Sequence, residues 1–371
     1  MPTDAIDTAR AVSGVSDGKR PVFCRARRSV AVALCVLLLC LPLAGCAESN
    51  TPQRYTQVFF DVFDTVTTVI VYDESERSAT ARIEELHALL QAYHKLYDIY
   101  NTYEGMNNLC SVNQSAGIAP VAVDARILDL VEYAVDMDAL TGGKMNIAMG
   151  AVLSIWKSYR DAGTQDPQNA ALPPMEALCA ANAHADIGDI VLDRAAGTLY
   201  LADADMRLDV GSIAKGYAAQ KATEAMRAAG VTSMLLSVGG NVCSIGTRPN
   251  GAAWKVGIQD PYSDGTLCAV QVDGQSVVTS GTYERYYTVD GVRYHHIIDP
   301  DTLMPAVRYD SVTVISGDSA LADALTTGLF CLTADDGMAL VESLPDTEAF
   351  WVLADGSQRM SAGFVDYLVA D

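Results

Sequence analysis

The 371-residue chain carries 25 Lys and Arg against 46 Asp and Glu, a formal net charge of −21 at pH 7. A surface this acidic repels nucleic acid and anionic lipid headgroups, which argues against a nucleic-acid-binding protein. Any anionic substrate must therefore be met by local cations or by a metal ion.

The N-terminus reads as a targeting segment. Arg25, Arg27 and Arg28 form a basic cluster, and residues 29–43 are almost wholly apolar. That run is short for a membrane span, which needs about 20 residues. It ends in Leu43-Ala44-Gly45-Cys46, which resembles the bacterial lipobox, where the cysteine becomes the lipidated first residue of the mature protein. The expectation is a signal peptide over residues 1–45, lipidation at Cys46 and a polar tether over 46–57. A folded domain follows over 58–371, held at the extracytoplasmic face of the cell membrane. An uncleaved signal anchor is the alternative. Of nine cysteines, Cys24, Cys35, Cys40 and Cys46 belong to this segment. Cys110, Cys179, Cys243, Cys268 and Cys331 are scattered without a CxxC, so they read as buried small hydrophobes rather than zinc ligands or disulfides.

Residues 58–72 are rich in β-branched and aromatic side chains and predict one long strand or two short ones. Residues 78–101 predict a helix, with Ile83, Leu86, Leu90, Tyr93, Tyr97 and Tyr100 in one stripe; all but the last are read as core. Residues 124–140 predict a second helix with Asp124 as N-cap. Residues 160–175 read as an exposed loop, 199–208 as a strand and 213–229 as a helix ending at Gly230. A short strand over 233–238 stops at Gly239-Gly240-Asn241, and several strands follow between 254 and 278. Asp290-Gly291 predicts a two-residue hairpin turn between strands 285–289 and 292–296. A strand over 311–316, a helix over 319–332 and closing strands over 350–354 and 364–369 complete the chain. Hairpins dominate and strict βαβ alternation is absent, so the class is α+β.

Two C-terminal runs carry the chemistry. In Ala322-Asp323-Ala324-Leu325-Thr326-Thr327, a carboxylate and a hydroxyl stand one helical turn apart and face the same way. Such hard oxygens suit a magnesium ion that also grips a substrate's phosphates. In His295-His296-Ile297-Ile298-Asp299-Pro300, the adjacent histidines point to opposite faces of a strand, so one faces the site and the other packs. Upstream, Asp209-Val210-Gly211-Ser212-Ile213-Ala214-Lys215-Gly216 places an acid before a helix start, whose free amides suit anions. Lys215 sits in the first turn, where the helix dipole disfavours a cation unless an anion is present. Gly239-Gly240-Asn241 is either a close approach to a ligand or a plain turn. Thr279-Ser280-Gly281-Thr282-Tyr283 offers hydroxyls on a strand edge.

In their order and approximate spacing these runs resemble the ApbE family, the FAD:protein FMN transferases. The resemblance implies a T-fold-related α+β architecture of mostly antiparallel sheets packed with helices. It also implies a magnesium-dependent transfer of FMN from FAD to a threonine hydroxyl of a target flavoprotein, releasing AMP. Carried over by position, Asp323, Thr327 and the Ser212 carbonyl would hold Mg2+. Asp209, Lys215, Ile298 and Tyr100 would contact FAD, and His296 or Asp209 would take the threonine proton. Several positions depart from the family pattern. Lys144-Met145-Asn146 replaces the usual Ala-Phe-Asp on the expected nucleotide wall. Phe63 stands at a frequent methionine position, Asp64 precedes Thr65 in place of a glycine, and Leu303 follows Thr302 in place of another. A magnesium-dependent FAD pyrophosphatase and a non-catalytic flavin-binding lipoprotein are the competing expectations.

Overall fold

The computed structural model describes residues 51–370; the basic cluster, the apolar run and Cys46 lie outside the described residues. β1 (Gln53–Val62) and β2 (Thr65–Asp73) form an antiparallel hairpin whose register runs from Gln53↔Asp73 to Val62↔Thr65. Residues 53–57, expected as part of a tether, thus find backbone partners in β2. Phe63 and Asp64 close the hairpin with φ of 55° and 50°. This left-handed pair matches the twist of the strands it joins, but favours glycine. Asp64→Gly is expected to stabilise the protein by about 0.5–1 kcal/mol, seen as a higher urea midpoint at unchanged slope.

Ser75 caps α1 (Glu76–Tyr97), and the stripe from Ile83 to Tyr97 is buried as its spacing predicts. The helix stops before residue 101 because the Asp98 side chain accepts the amides of Tyr100 and Asn101. Tyr100 is thereby turned out, 59% exposed. After α2 (Leu109–Gln114) and β3 (Val121–Ala122), Asp124 caps α3 (Ala125–Leu140) as expected. α4 (Gly150–Gln165), a 3-10 turn at Pro167–Asn169 and α5 (Met175–Asn182) then occupy much of the segment expected as loop. Trp156 and Tyr159 order it by packing in a cluster with Tyr287 and Tyr294. β4 (Ile190–Asp193) and β5 (Thr198–Leu201) pair, and β3 adds to β5. The strand expected to reach residue 208 ends at Leu201. Leu208 instead exchanges both backbone bonds with the buried Asn113 side chain.

α6 (Ala214–Ala228) precedes β6 (Met234–Val238) and β7 (Asn241–Ile245). β8 (Trp254–Gln259) and β9 (Thr266–Val272) form a ribbon, followed by β10 (Ser276–Gly281). The Asp290-Gly291 turn joins β11 (Tyr286–Val289) to β12 (Val292–His295), as predicted. β13 (Tyr309–Ser316), α7 (Ser319–Cys331), α8 (Ala334–Glu342), β14 (Thr347–Leu353) and β15 (Gln358–Met360) follow. The last expected strand is a 3-10 turn, Phe364–Tyr367, because buried Phe364 stacks on Phe350 at 5.4 Å.

The main sheet has eight strands in the order β1-β2-β6-β7-β10-β13-β14-β15, with every neighbouring pair antiparallel. Both faces are covered, and the two-residue alternation of the strands says how. Val69, Val71, Leu236 and Val238 pack with residues of α1 and α6, while Ile70, Tyr72 and Leu235 pack with the β8–β9 ribbon. Each such fully buried aliphatic side chain contributes about 1.5–3 kcal/mol of burial free energy. Cys110, Cys243 and Cys331 are buried as expected, Cys268 is half-buried, and Cys179 is exposed on α5. No described helix is long and apolar enough to cross a membrane. The architecture is α+β, as the hairpin-rich sequence predicts.

Candidate active site

α6 and α7 pack at a distance that only glycine allows. A methyl group on Gly216 would stand 2.4 Å from both Asp323 Cβ and the Ser319 carbonyl oxygen. This contact carries the buried Asp323 carboxylate onto the start of α6, where Gly216 N–H donates to Asp323 Oδ2 at 2.7 Å. Lys215 Nζ lies 3.7 Å from the same oxygen. Gly216 stands in the first turn of α6, where backbone amides have no helical acceptor, so the Asp323 carboxylate satisfies an amide that the helix itself leaves open. Thr327, one turn after Asp323, lines the same cleft of about 270 Å3, together with Ser212, Lys215 and Asp209. The Asp323 carboxylate, the Thr327 hydroxyl and the oxygens of Ser212 there are an all-oxygen donor set of the kind that suits a hard divalent cation. Thr326 faces elsewhere: its hydroxyl donates to the Asp323 carbonyl and accepts from Ser280.

The two histidines part as expected, one packed and one facing the cleft, although β12 ends at His295 and His296 stands in the bend that follows. His295 is buried, its Nε2 2.6 Å from the Ala306 carbonyl and its Nδ1 accepting the Ile297 amide. His296 lines the cleft, and its Nδ1, though shielded from solvent, has no hydrogen-bond partner. Burial holds the His296 imidazole well below the usual histidine range, with Arg285 next in effect, and burial also lowers His295. Unfolded imidazoles titrate near 6.5, so the unfolded chain takes up protons that the folded one refuses. Stability is thus full above about pH 6.5 and falls as the pH drops below it. The denaturation midpoint should decrease between about pH 7 and 5.5, and less so in His296→Gln.

Asp209 accepts the Gly211 amide at 2.8 Å, and burial raises its carboxyl against the opposing pull of that amide, Arg285 and Arg160. Tyr100 presents its ring to the cleft with Lys157 Nζ 5.5 Å from the ring centroid. Burial, then the charge of Asp209, pushes its hydroxyl up to about 12. Ile298 is 6% exposed and contributes an apolar wall.

The 144–146 segment divides. Lys144 lines the cleft, but its ammonium is paired with Asp301 and lies 3.7 Å from Asp299. Asn146 also borders the cleft, with its amide spent on the Ala185 carbonyl and the Ala148 N–H. Met145 is a correction: it is 0% exposed, does not line the cleft, and accepts the Ser212 hydroxyl at its sulfur. It positions Ser212 rather than contacting a nucleotide. Leu303 holds the left-handed conformation of the glycine it replaces, φ 59°, and is kept there by burial and by Trp156 Nε1–H donating to its carbonyl.

Gly239-Gly240 proves to be the β6–β7 turn, approaching Thr65 rather than a ligand. β10 lies inside the sheet between β7 and β13, not at an edge, and only Ser280 of the hydroxyl run reaches the cleft. Sequence reasoning did not assign Phe63, Asp64, His94, Trp156, Lys157, Arg160 or Arg285 to the site, and they line it too. Only Phe63 and Asp64 carried a signal, their departure from a family pattern. A second group, His184, Asp203 and Asp205, brings possible ligand atoms within 4.8 Å of one another, and none of the three lines the cleft.

An α+β domain whose cleft joins an oxygen donor set, a helix start and several cations is a phosphate-handling protein by its fold and site. The ApbE family model matches residues 63–351, and the chain belongs to that family. The FAD:protein FMN transferase of Treponema pallidum is 35% identical over 352 residues, spanning 90% of this chain and 94% of the relative. A Klebsiella pneumoniae FAD:protein FMN transferase is 32% identical over 273 residues, 71% of this chain and 80% of the relative. The crystal structure of the ApbE protein from Thermotoga maritima superposes with a TM-score of 0.75 at 26% identity, covering 86% of this chain and 100% of that one.

Proposed function

We propose that this protein is an FAD:protein FMN transferase that moves FMN from FAD to a threonine hydroxyl of a target flavoprotein and releases AMP. The observation that carries this reading is that Asp323, Thr327 and Ser212 line one cleft beside the start of α6. These three groups would hold Mg2+, which supplies charge neutralisation on phosphoryl oxygens when bound. Lys215, in the first turn of α6, would meet the remaining negative charge of the pyrophosphate. Ile298 and Tyr100 offer apolar and aromatic surface to the nucleotide. His296, neutral at physiological pH with a free Nδ1, is a candidate to accept the threonine proton; Asp209, whose carboxyl is raised, is the other. Lys144, held by Asp299 and Asp301, shapes the wall more than it meets substrate.

The chain ahead of the domain fits the same reading. Lipidation at Cys46 would tether the enzyme to the extracytoplasmic face of the membrane, where it would act on exported targets. The test is to incubate the protein with FAD, magnesium and a target carrying an accessible threonine. Mass spectrometry should show a covalent FMN adduct that chelator abolishes. AMP release at the same rate with no target present would instead make the protein an FAD pyrophosphatase.

A further inference from the structure

α4 and β11 meet at Gly163, where a methyl group would stand 2.6 Å from the Tyr287 ring. Arg160 lies one helical turn before Gly163, and Arg285 lies two positions before Tyr287. The close approach therefore carries the two arginines to one region of the cleft, which both line. Lys157 on the same helix is matched by Asp161, whereas neither guanidinium has an ion-pair or hydrogen-bond partner among the described residues. Arg285 is exposed and Arg160 half-buried, so both guanidiniums are open to an anion that enters the cleft. They are all the more notable in a chain with 46 acidic residues available as partners. Their planar forks are suited to grip phosphoryl oxygens two at a time.

We propose that Arg160 and Arg285 form an anion clamp for a phosphoryl oxyanion of the dinucleotide, separate from the oxygens around Asp323. This rests on FAD being the substrate. In the transfer, the threonine oxygen bonds to the FMN phosphorus and the bridging P–O bond breaks. The bridging oxygen keeps the electron pair and leaves on AMP, and the threonine proton passes to a base. Negative charge is spread over the phosphoryl oxygens throughout, and fixed donors aimed at them lower the barrier. The clamped phosphoryl is either the one that stays with the flavin or the one that leaves with adenosine.

Calorimetric titration of the full chain with FMN and with AMP, each with magnesium, separates these sources. In Arg160→Met and Arg285→Met, one of the two mononucleotides should bind at least about tenfold more weakly, and Arg→Lys at either position should restore only part. Loss for FMN assigns the clamp to the transferred phosphoryl; loss for AMP assigns it to the leaving one. Turnover number should fall with KM for the target unchanged. Unaltered affinity for both mononucleotides with a raised target KM overturns the clamp and gives the arginines to the acceptor protein. Melting curves verify folding, and the Arg→Lys pair carries the test if a Met variant does not fold. A wild-type protein that transfers no FMN, yet binds a mononucleotide through these arginines, would refute the transferase reading and leave the clamp standing.

Discussion

Asp323→Asn should lower the rate of FMN transfer by about 10²–10³-fold while the protein stays folded. The amide oxygen of Asn can still accept the Gly216 N–H, so the α6–α7 contact keeps its hydrogen bond. What disappears is the charge: the negative member of the oxygen set proposed to hold the cation, and the partner of Lys215 at 3.7 Å. Fixed charge acting on a phosphoryl group in a shielded site typically accounts for a loss of this size. Initial rates of adduct formation across a magnesium titration are the measurement. The variant should need far more magnesium and reach a lower plateau, with a melting temperature within a few degrees of wild type. A variant that keeps more than about a tenth of the rate at the wild-type magnesium optimum would remove Asp323 from the chemistry.

Gly216→Ala tests the frame rather than the ligand. The added methyl meets Asp323 Cβ and the Ser319 carbonyl at 2.4 Å, both on the same helix, and neither is the far end of a flexible side chain. One helix must move. Overpacking of this kind costs about 1–3 kcal/mol. The displacement acts directly on Asp323 and on the Gly216 amide, and an error of about 1 Å in positioning costs up to about a hundredfold in rate. The expected result is a lower denaturant midpoint together with a transfer rate reduced well beyond the loss of folded protein. Ala at exposed Gly211, where the nearest contact is Asp209 Oδ1 at 3.1 Å, is the comparison and should be milder in stability.

Much of the local structure was legible because it depends on neighbours in sequence. The Ile83-to-Tyr97 stripe, the Asp124 cap and the Asp290-Gly291 hairpin follow from period, side-chain capping and turn sterics, and each stands where predicted. The division of His295 from His296 was expected from strand alternation, but β12 stops at His295 and the bend at His296 turns that side chain to the cleft. The expectations that differ fail where a distant partner intervenes. Leu208, expected in a strand that in fact ends at Leu201, is held by Asn113, the loop at 160–175 is ordered by the β11–β12 hairpin, and the final strand yields to the stacking of Phe364 on Phe350. Met145 looked like part of a nucleotide wall because its neighbours are, but its side chain turns inward to the Ser212 hydroxyl.

The sequence by itself determined the class of fold, the family, and the residue types able to bind a hard cation, since these are carried by periodicity and by short ordered runs. It could not say that Gly216 exists to admit Asp323, that the Asp323 carboxylate takes the Gly216 amide, or that Arg160 and Arg285 line one cleft. Those facts depend on contacts between residues about a hundred positions apart, and only the packing of α6 on α7 and of α4 on β11 decides them.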